Sequence, residues 1–357
     1  MKKINPFGMV MASQEIVQAV ATDVLRRGNA IDALVAGLFS ACAHSPSVLL
    51  GPVQILMGGV GLGVQAVDGR VRQPGLGTRR PRGFQPADSI PKAAYVGVPC
   101  FPGALAAALA IGGTLSWSAA LSLALKETRF LSRQRISLLQ QIVHRGPLVF
   151  SEAGIASAFV DAFGKIAGGL ITREDMEQVR PLILRGFEKK TKGSTLFPLP
   201  WSGEEYLPAP AFPSFAGLRR IQIVGVADRW GLTAVACYEE VEEGIPMLDF
   251  DLIAPPLAAP VLRGWPRAKP GTPRSAEAPI FLRETDGLVD LVVGVEGTPE
   301  EIAKAQPLLE QIGGTAASLR PSDTVGGVLR EGHERTRGKF LAIACLRGET
   351  KGFHLYF

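Results

Sequence analysis

Gly8-Met9-Val10-Met11-Ala12-Ser13, followed after a helical run by Leu25-Arg26-Arg27-Gly28-Asn29-Ala30-Ile31-Asp32-Ala33, is the stretch whose reading decides the fold. The first six residues read as a short strand. Ser13 can cap a helix, and Ile16, Val20 and Val24 recur every four residues, which gives that helix one apolar face. Arg26 and Arg27 suit its last turn, and Gly28-Asn29 ends it. Residues 31–42 are apolar almost all round, as a helix held between a sheet and another layer would be.

Outward from this opening, helices alternate with strands. Residues 62–67, Asp68-Gly69 and Arg70-Val71 read as a hairpin, because Asp-Gly is a strong two-residue turn signal. Residues 94–99 read as a strand, and Pro102-Gly103 opens a helix that Gly112-Gly113 closes. Further helices are expected from Trp117, around residues 138–143, and over 155–163, and Thr172 caps another. Prolines 198, 200, 208, 210 and 213 mark an irregular connector. Beyond it, residues 221–226 and 233–238 are strands around the turn Asp228-Arg229-Trp230-Gly231. Residues 288–295 form a buried strand, 299–312 an amphipathic helix, and 340–346 and 353–357 close the chain in extended form. Strands dominate the last third, a pattern that fits a layered helix–sheet–sheet–helix domain.

The composition narrows the function. A chain of 357 residues, 46% hydrophobic and 20% charged, is globular. Its net charge of +5 is scattered apart from Arg79-Arg80-Pro81-Arg82 and Lys189-Lys190-Thr191-Lys192, which read as solvated loops rather than a nucleic-acid surface. Cys42, Cys100, Cys237 and Cys345 lack metal-ligand spacing, and His44, His144, His333 and His354 are isolated in sequence; no metal or cofactor is expected. Residues 48–67 approach membrane-spanning length without a charge, but five glycines and Pro52 favour a buried turn and strand. No apolar run follows Lys2-Lys3, so a secretory signal is not expected and the reading is cytoplasmic.

Several stretches, in order, resemble the gamma-glutamyltransferases, of the Ntn-hydrolase class. Besides the opening, these are Ala94-Tyr95-Val96-Gly97-Val98-Pro99 running into Pro102-Gly103-Ala104-Leu105, then Gly113-Thr114-Leu115-Ser116-Trp117, then Gly168-Gly169-Leu170-Ile171-Thr172-Arg173-Glu174-Asp175-Met176. Val226-Ala227-Asp228 is similar to the hairpin that begins the family's small subunit, and Pro270-Gly271 to a later loop. The resemblance implies an α/β fold, a truncated four-layer αββα Ntn-hydrolase-like sandwich. Residues 1–188 resemble the family's large subunit and 219–357 its small subunit. Residues 189–218 form the Pro-rich connector, and the whole is one intertwined domain.

The departures lie at the chemistry. The family cuts its own chain before a threonine, which becomes the nucleophile. Placing Asp228 on the family's aspartate puts Ile221 and Gln222 on its two threonines, and neither supplies a nucleophilic oxygen. Thr195 and Cys237 are weak alternatives: the one reads as a turn residue, the other as a buried small apolar one. The family's carboxylate-binding arginine falls at Gly77, with Arg79 or Arg80 as substitutes. Its serine pair becomes Ser275 and Ala276, followed by Glu277, and its glycine-rich oxyanion motif is reduced to Gly294-Val295-Glu296-Gly297. Asp249 and Asp251 are similar to its acidic pair. The substrate-binding candidates are therefore Arg79, Arg80, Asp249, Asp251, Ser275, Glu277 and Gly297. Glu239-Glu240-Val241-Glu242-Glu243 reads as a solvated turn rather than a cation site.

Acyl transfer needs a nucleophile and donors aimed at the developing oxyanion. The expectation is a gamma-glutamyltransferase-like protein without the autoprocessing threonine, kept as a binding protein or a subunit of a larger assembly. A protein partner or a second copy would cover apolar surface exposed by the shortening, and the expected small molecule is glutamate-like or an amide. The alternative is an active amidohydrolase or gamma-glutamyl-type acyltransferase with a displaced nucleophile.

Overall fold

The fold is built on two six-stranded antiparallel sheets, seen in a computed structural model of the chain. The structure describes residues 6–79, 83–85, 89–125, 132–191, 193–201, 219–274, 279–305, 339–346 and 349–356, the last two as backbone. The chain runs β1 (Gly8–Ala12), α1 (Glu15–Leu25), α2 (Ala30–His44), β2 (Val53–Gly59), β3 (Leu62–Gly69), α3 (Phe101–Gly112), α4 (Trp117–Ala124), α5 (Arg133–Arg145), α6 (Ala153–Phe163) and α7 (Arg173–Gln178). It continues through β4 (Leu182–Arg185), β5 (Lys189–Thr191), β6 (Ser194–Pro198), β7 (Arg219–Asp228), β8 (Leu232–Val241), β9 (Ile245–Met247) and β10 (Leu252–Ala254). Then come β11 (Ile280–Thr285), β12 (Leu288–Glu296), a helix α8 at residues 299–305, β13 (Lys339–Leu346) and β14 (Glu349–Tyr356).

The first sheet has the order β1-β7-β8-β2-β3-β4 and the second β14-β13-β12-β11-β6-β5, while β9 and β10 pair separately. Alternation along β7 and β8 separates two cores. Val224, Val226, Ala234 and Ala236 face the helices, with Phe39, Phe101, Phe159 and Phe163 among their buried neighbours. Ile221, Ile223, Val235 and Cys237 face the second sheet, meeting Leu282, Val293 and Val295, and α8 adds Ile302 and Ala305 to this second core. α2 is buried at every residue from Ala30 to Ala43, which explains its sequence, apolar but for Asp32 and Ser40.

Two buried aspartates hold the start of α2, one to the α3–α4 connection and the other to the first sheet. Asn29 and Asp32 form a capping box at the start of α2. Asp32 also accepts from the backbone N–H of Thr114 at 3.0 Å, from its hydroxyl at 2.6 Å and from the N–H of Leu115 at 3.0 Å. Asp228, at the end of β7, accepts from the N–H of Ala30 at 3.1 Å and from those of Trp230 and Leu232 in its own turn. The Gly28-Asn29 break and the Gly113-Thr114-Leu115 stretch are thus two sides of one carboxylate.

Several expectations are corrected. Ser13 does not cap α1; its hydroxyl accepts from the N–H of Ile223 at 2.8 Å and ties β1 to β7. The hairpin turn is not at Asp68-Gly69 but at Val60-Gly61, where Gly61 has φ +78°; β3 runs on through Asp68, whose carboxylate is needed inside. Residues 92–95 form a 3-10 turn, and only Val98 of the expected strand bridges, to Arg72. The proposed connector at 189–218 begins with two strands, β5 and β6, that complete the second sheet, while residues 202–218 lie outside the described residues.

Candidate functional site

The position expected for the nucleophile lies at the start of β7, between the two sheets. Ile221 is 1% exposed, with its side chain in the inter-sheet core. Its N–H donates to the carbonyl of Gly297 at 2.8 Å, and the N–H of Gly297 donates back at 3.0 Å. Gly297, just after β12, has φ +148°, a conformation that side-chain-bearing residues rarely adopt. Two residues far apart in sequence and singled out on the same resemblance are thus brought into direct contact. Gln222 points to the helix side instead, where its amide donates to Glu240 at 3.1 Å; Gln14 donates to the same oxygen at 2.9 Å.

A diagonal row of buried polar groups crosses the first sheet from Ile221. Ile221 lies opposite Glu239 on β8, Cys237 opposite Gln54 on β2, and Gln54 opposite Asp68 on β3. Glu239, Gln54 and Asp68 are each at most 2% exposed. Arg219 forms an ion pair with Glu239. Asp68 accepts from Arg70 Nε at 2.9 Å and Nη2 at 2.8 Å, and from Arg72 Nη1 at 3.0 Å. The indole N–H of Trp201 donates to Gln54, and the Arg70 guanidinium lies over the Trp201 ring, 4.9 Å from its centroid. The buried polar groups on this face of the first sheet are therefore paired with side chains of the chain itself. A groove of about 680 Å³ lies elsewhere, along α1 between Ala12 and Arg26.

The electrostatics follow from this pairing. Burial opposes the charge on Asp68, but the hydrogen bond from Arg70 and the charges of Arg72 and Arg70 outweigh it and hold the carboxyl below its ordinary value. Burial drives the Cys237 thiol far up, helped by the nearby charge of Glu239, so it stays protonated at neutral pH. Cys100 is likewise pushed up to about 11 by burial, despite Arg72 beside it.

The remaining candidates are dispersed. Thr195 is in β6 of the second sheet, opposite Lys190 and Glu284. Arg79 is exposed on a loop, and Gly77, with φ +67°, packs on Glu174. Asp251 is taken by the start of α5, accepting from Arg135 Nη2 and Ser132 Oγ, each at 2.6 Å, and Asp249 is exposed beside it. Arg80, Ser275 and Glu277 lie outside the described residues. The acidic run is not all solvated turn: Glu239 is buried in β8, while Glu242 and Glu243 are exposed. Among the described residues no group of three or more His, Cys, Asp or Glu side chains is placed to hold a metal. None of their helices is long and apolar enough to cross a membrane.

Sequence reasoning missed Arg70, Arg72, Gln54, Arg219 and Trp201. A signal was present in Asp68-Gly69-Arg70-Val71-Arg72, where charges alternate with small or apolar residues at strand spacing beside an apolar run.

No family model matches the sequence, and no curated protein matches it. Solved structures do. A cephalosporin acylase from Bacillus halodurans superposes with a TM-score of 0.68 at 15% identity, covering 100% of this chain and 95% of that one. The LmbA2991HD structure gives 0.68 at 14% identity over 99% of both chains. A gamma-glutamyltranspeptidase from Pseudomonas nitroreducens gives 0.46 at 22% identity, over 57% of this chain and 80% of that one. The chain has the mixed α/β, two-sheet fold of the cephalosporin acylase and LmbA2991HD structures, the Ntn-hydrolase-like fold that its sequence resemblance implies.

Proposed function

We propose that this chain is a gamma-glutamyltransferase-like protein that has lost the acyl-transfer nucleophile and acts as a non-catalytic binding protein or as a subunit of a larger assembly. The observation that carries the reading is Ile221. At the head of β7, where the resemblance puts the self-processing threonine, stands a buried side chain with neither a hydroxyl nor a thiol. Its backbone carbonyl already takes the N–H of Gly297, the residue in the place of an oxyanion donor. Directly across from Ile221 stands the buried Glu239, already paired with Arg219, so this polar group is engaged within the chain. Nor does Cys237 offer a substitute, since a deeply buried, protonated thiol is a poor nucleophile.

The test is the intact mass of the purified chain together with an assay of gamma-glutamyl amide hydrolysis. One species near 37.9 kDa with no turnover is expected. Two fragments joined in the gene at Thr195 or Cys237, with turnover, would overturn the reading in favour of a displaced nucleophile.

A further inference from the structure

β4 is an edge strand unlike the rest of the sheet to which it belongs. All four of its residues are exposed, Leu182 at 48%, Ile183 at 51% and Leu184 at 40%, and Phe187 just beyond it is 56% exposed. β3 covers one side of β4, and among the described residues no strand lies on the other. Gly186 donates its N–H to the Val64 carbonyl at 2.8 Å. Hydrogen-bonded and non-hydrogen-bonded pairs alternate along an antiparallel ladder, so Leu184 and Leu182 also bond to β3. The N–H and C=O groups of Ile183 and Arg185 then point away from the sheet. A row of outward backbone groups flanked by three exposed aliphatic side chains is a template for another strand.

We propose that β4 pairs with β4 of a second copy of this chain, antiparallel about a twofold axis at Leu184, joining the two first sheets edge to edge. The register follows from the outward groups and from charge. About Leu184, Ile183 of each copy exchanges both backbone hydrogen bonds with Arg185 of the other, and Phe187 N–H reaches the Pro181 carbonyl, which suits a proline with no N–H to offer. Leu184 meets Leu184 in a non-hydrogen-bonded pair, where side chains approach most closely. The exposed Arg180 then faces the exposed Glu188 of the other copy, twice by symmetry. Sliding by two residues one way sets Arg180 against Lys190, and the other way leaves Glu188 facing Gln178, so the centre at Leu184 is the register with matched charges. This deepens the reading of the chain as an assembly subunit. Intact mass and turnover decide that reading, and sedimentation decides this one.

The experiment is sedimentation of the full chain at micromolar concentration, with circular dichroism to verify folding. A dimer of the 37.9 kDa chain is expected. Ile183→Lys and Arg185→Pro should each weaken it by about tenfold or more, since one adds like charges at the seam and the other deletes an outward N–H. Arg180→Glu should weaken it as well, and adding Glu188→Arg to that variant should restore it. A wild-type monomer overturns the proposal, as does a dimer indifferent to Ile183→Lys and Arg185→Pro. Failure of the charge swap overturns the register. A monomer that instead captures an acidic strand-forming peptide assigns the edge to a different partner and also overturns the proposal.

Discussion

Ile221 and Gly297 exchange both of their backbone hydrogen bonds, at 2.8 and 3.0 Å, across the mouth between the two sheets. The contact joins the head of β7 to the end of β12. The N–H of Gly297 is thereby engaged by a carbonyl of the same chain.

On the proposed reading, a hydroxyl placed at residue 221 should not by itself bring acyl-transfer chemistry. Ile221→Thr is expected to give a single uncut chain without gamma-glutamyl hydrolase activity. It should lose about 1–3 kcal/mol of stability, because a hydroxyl replaces apolar volume in a dry core. Mass spectrometry and urea unfolding check both parts, and self-cleavage of this variant would show that the mouth is more open than its packing implies.

The Asp68–Arg70–Arg72 group should be the most sensitive part of the mouth. Asp68→Ala leaves two buried guanidinium groups without their carboxylate and should cost about 3–5 kcal/mol in chemical denaturation.

The same carboxylate gives a pH dependence with a defined sign. Its folded value lies below the ordinary 3.8, so the unfolded chain binds its proton more readily. Its contribution is present in full above about pH 4 to 5 and disappears as the pH falls through the lower, folded value. Denaturation midpoints measured down this range should drop more steeply for the native chain than for Asp68→Asn. Parallel curves would mean that Asp68 is not held as an anion.

Asp32 should matter as much for the helix layer as Asp68 does for the mouth. Asp32→Ala removes the acceptor for Asn29, Thr114 and Leu115 at the buried start of α2, and a loss of about 2–4 kcal/mol is expected. Hydrogen exchange should locate the loosening at the starts of α2 and α4.

Cys237 should be nearly inert in the folded protein. Burial holds it as a thiol, so its alkylation at neutral pH should be on the order of a hundredfold slower than in the unfolded chain. Peptide mapping after a timed iodoacetamide pulse reads this directly. Rapid native labelling would revive Cys237 as a nucleophile.

The sequence by itself determined the local elements whose causes are local. The apolar face of α1, the almost all-round apolar α2, the Thr172 cap and the Asp228–Gly231 turn all follow from nearest neighbours along the chain. That Ile221 carries neither a hydroxyl nor a thiol is legible there too, because side-chain identity needs no coordinates. Tertiary structure decided what depends on partners far away. Asp68-Gly69 reads as a turn to any local rule, yet Arg70 and Arg72 keep that aspartate in a strand and give its charge a buried home. Glu239 belongs to an acidic run until Arg219 pairs with it in the fold. Ile221 meets Gly297 only because two strands in different sheets end at the same mouth. A charge or backbone group can be buried only where a partner meets it, and the chain brings those partners together only when both sheets have formed.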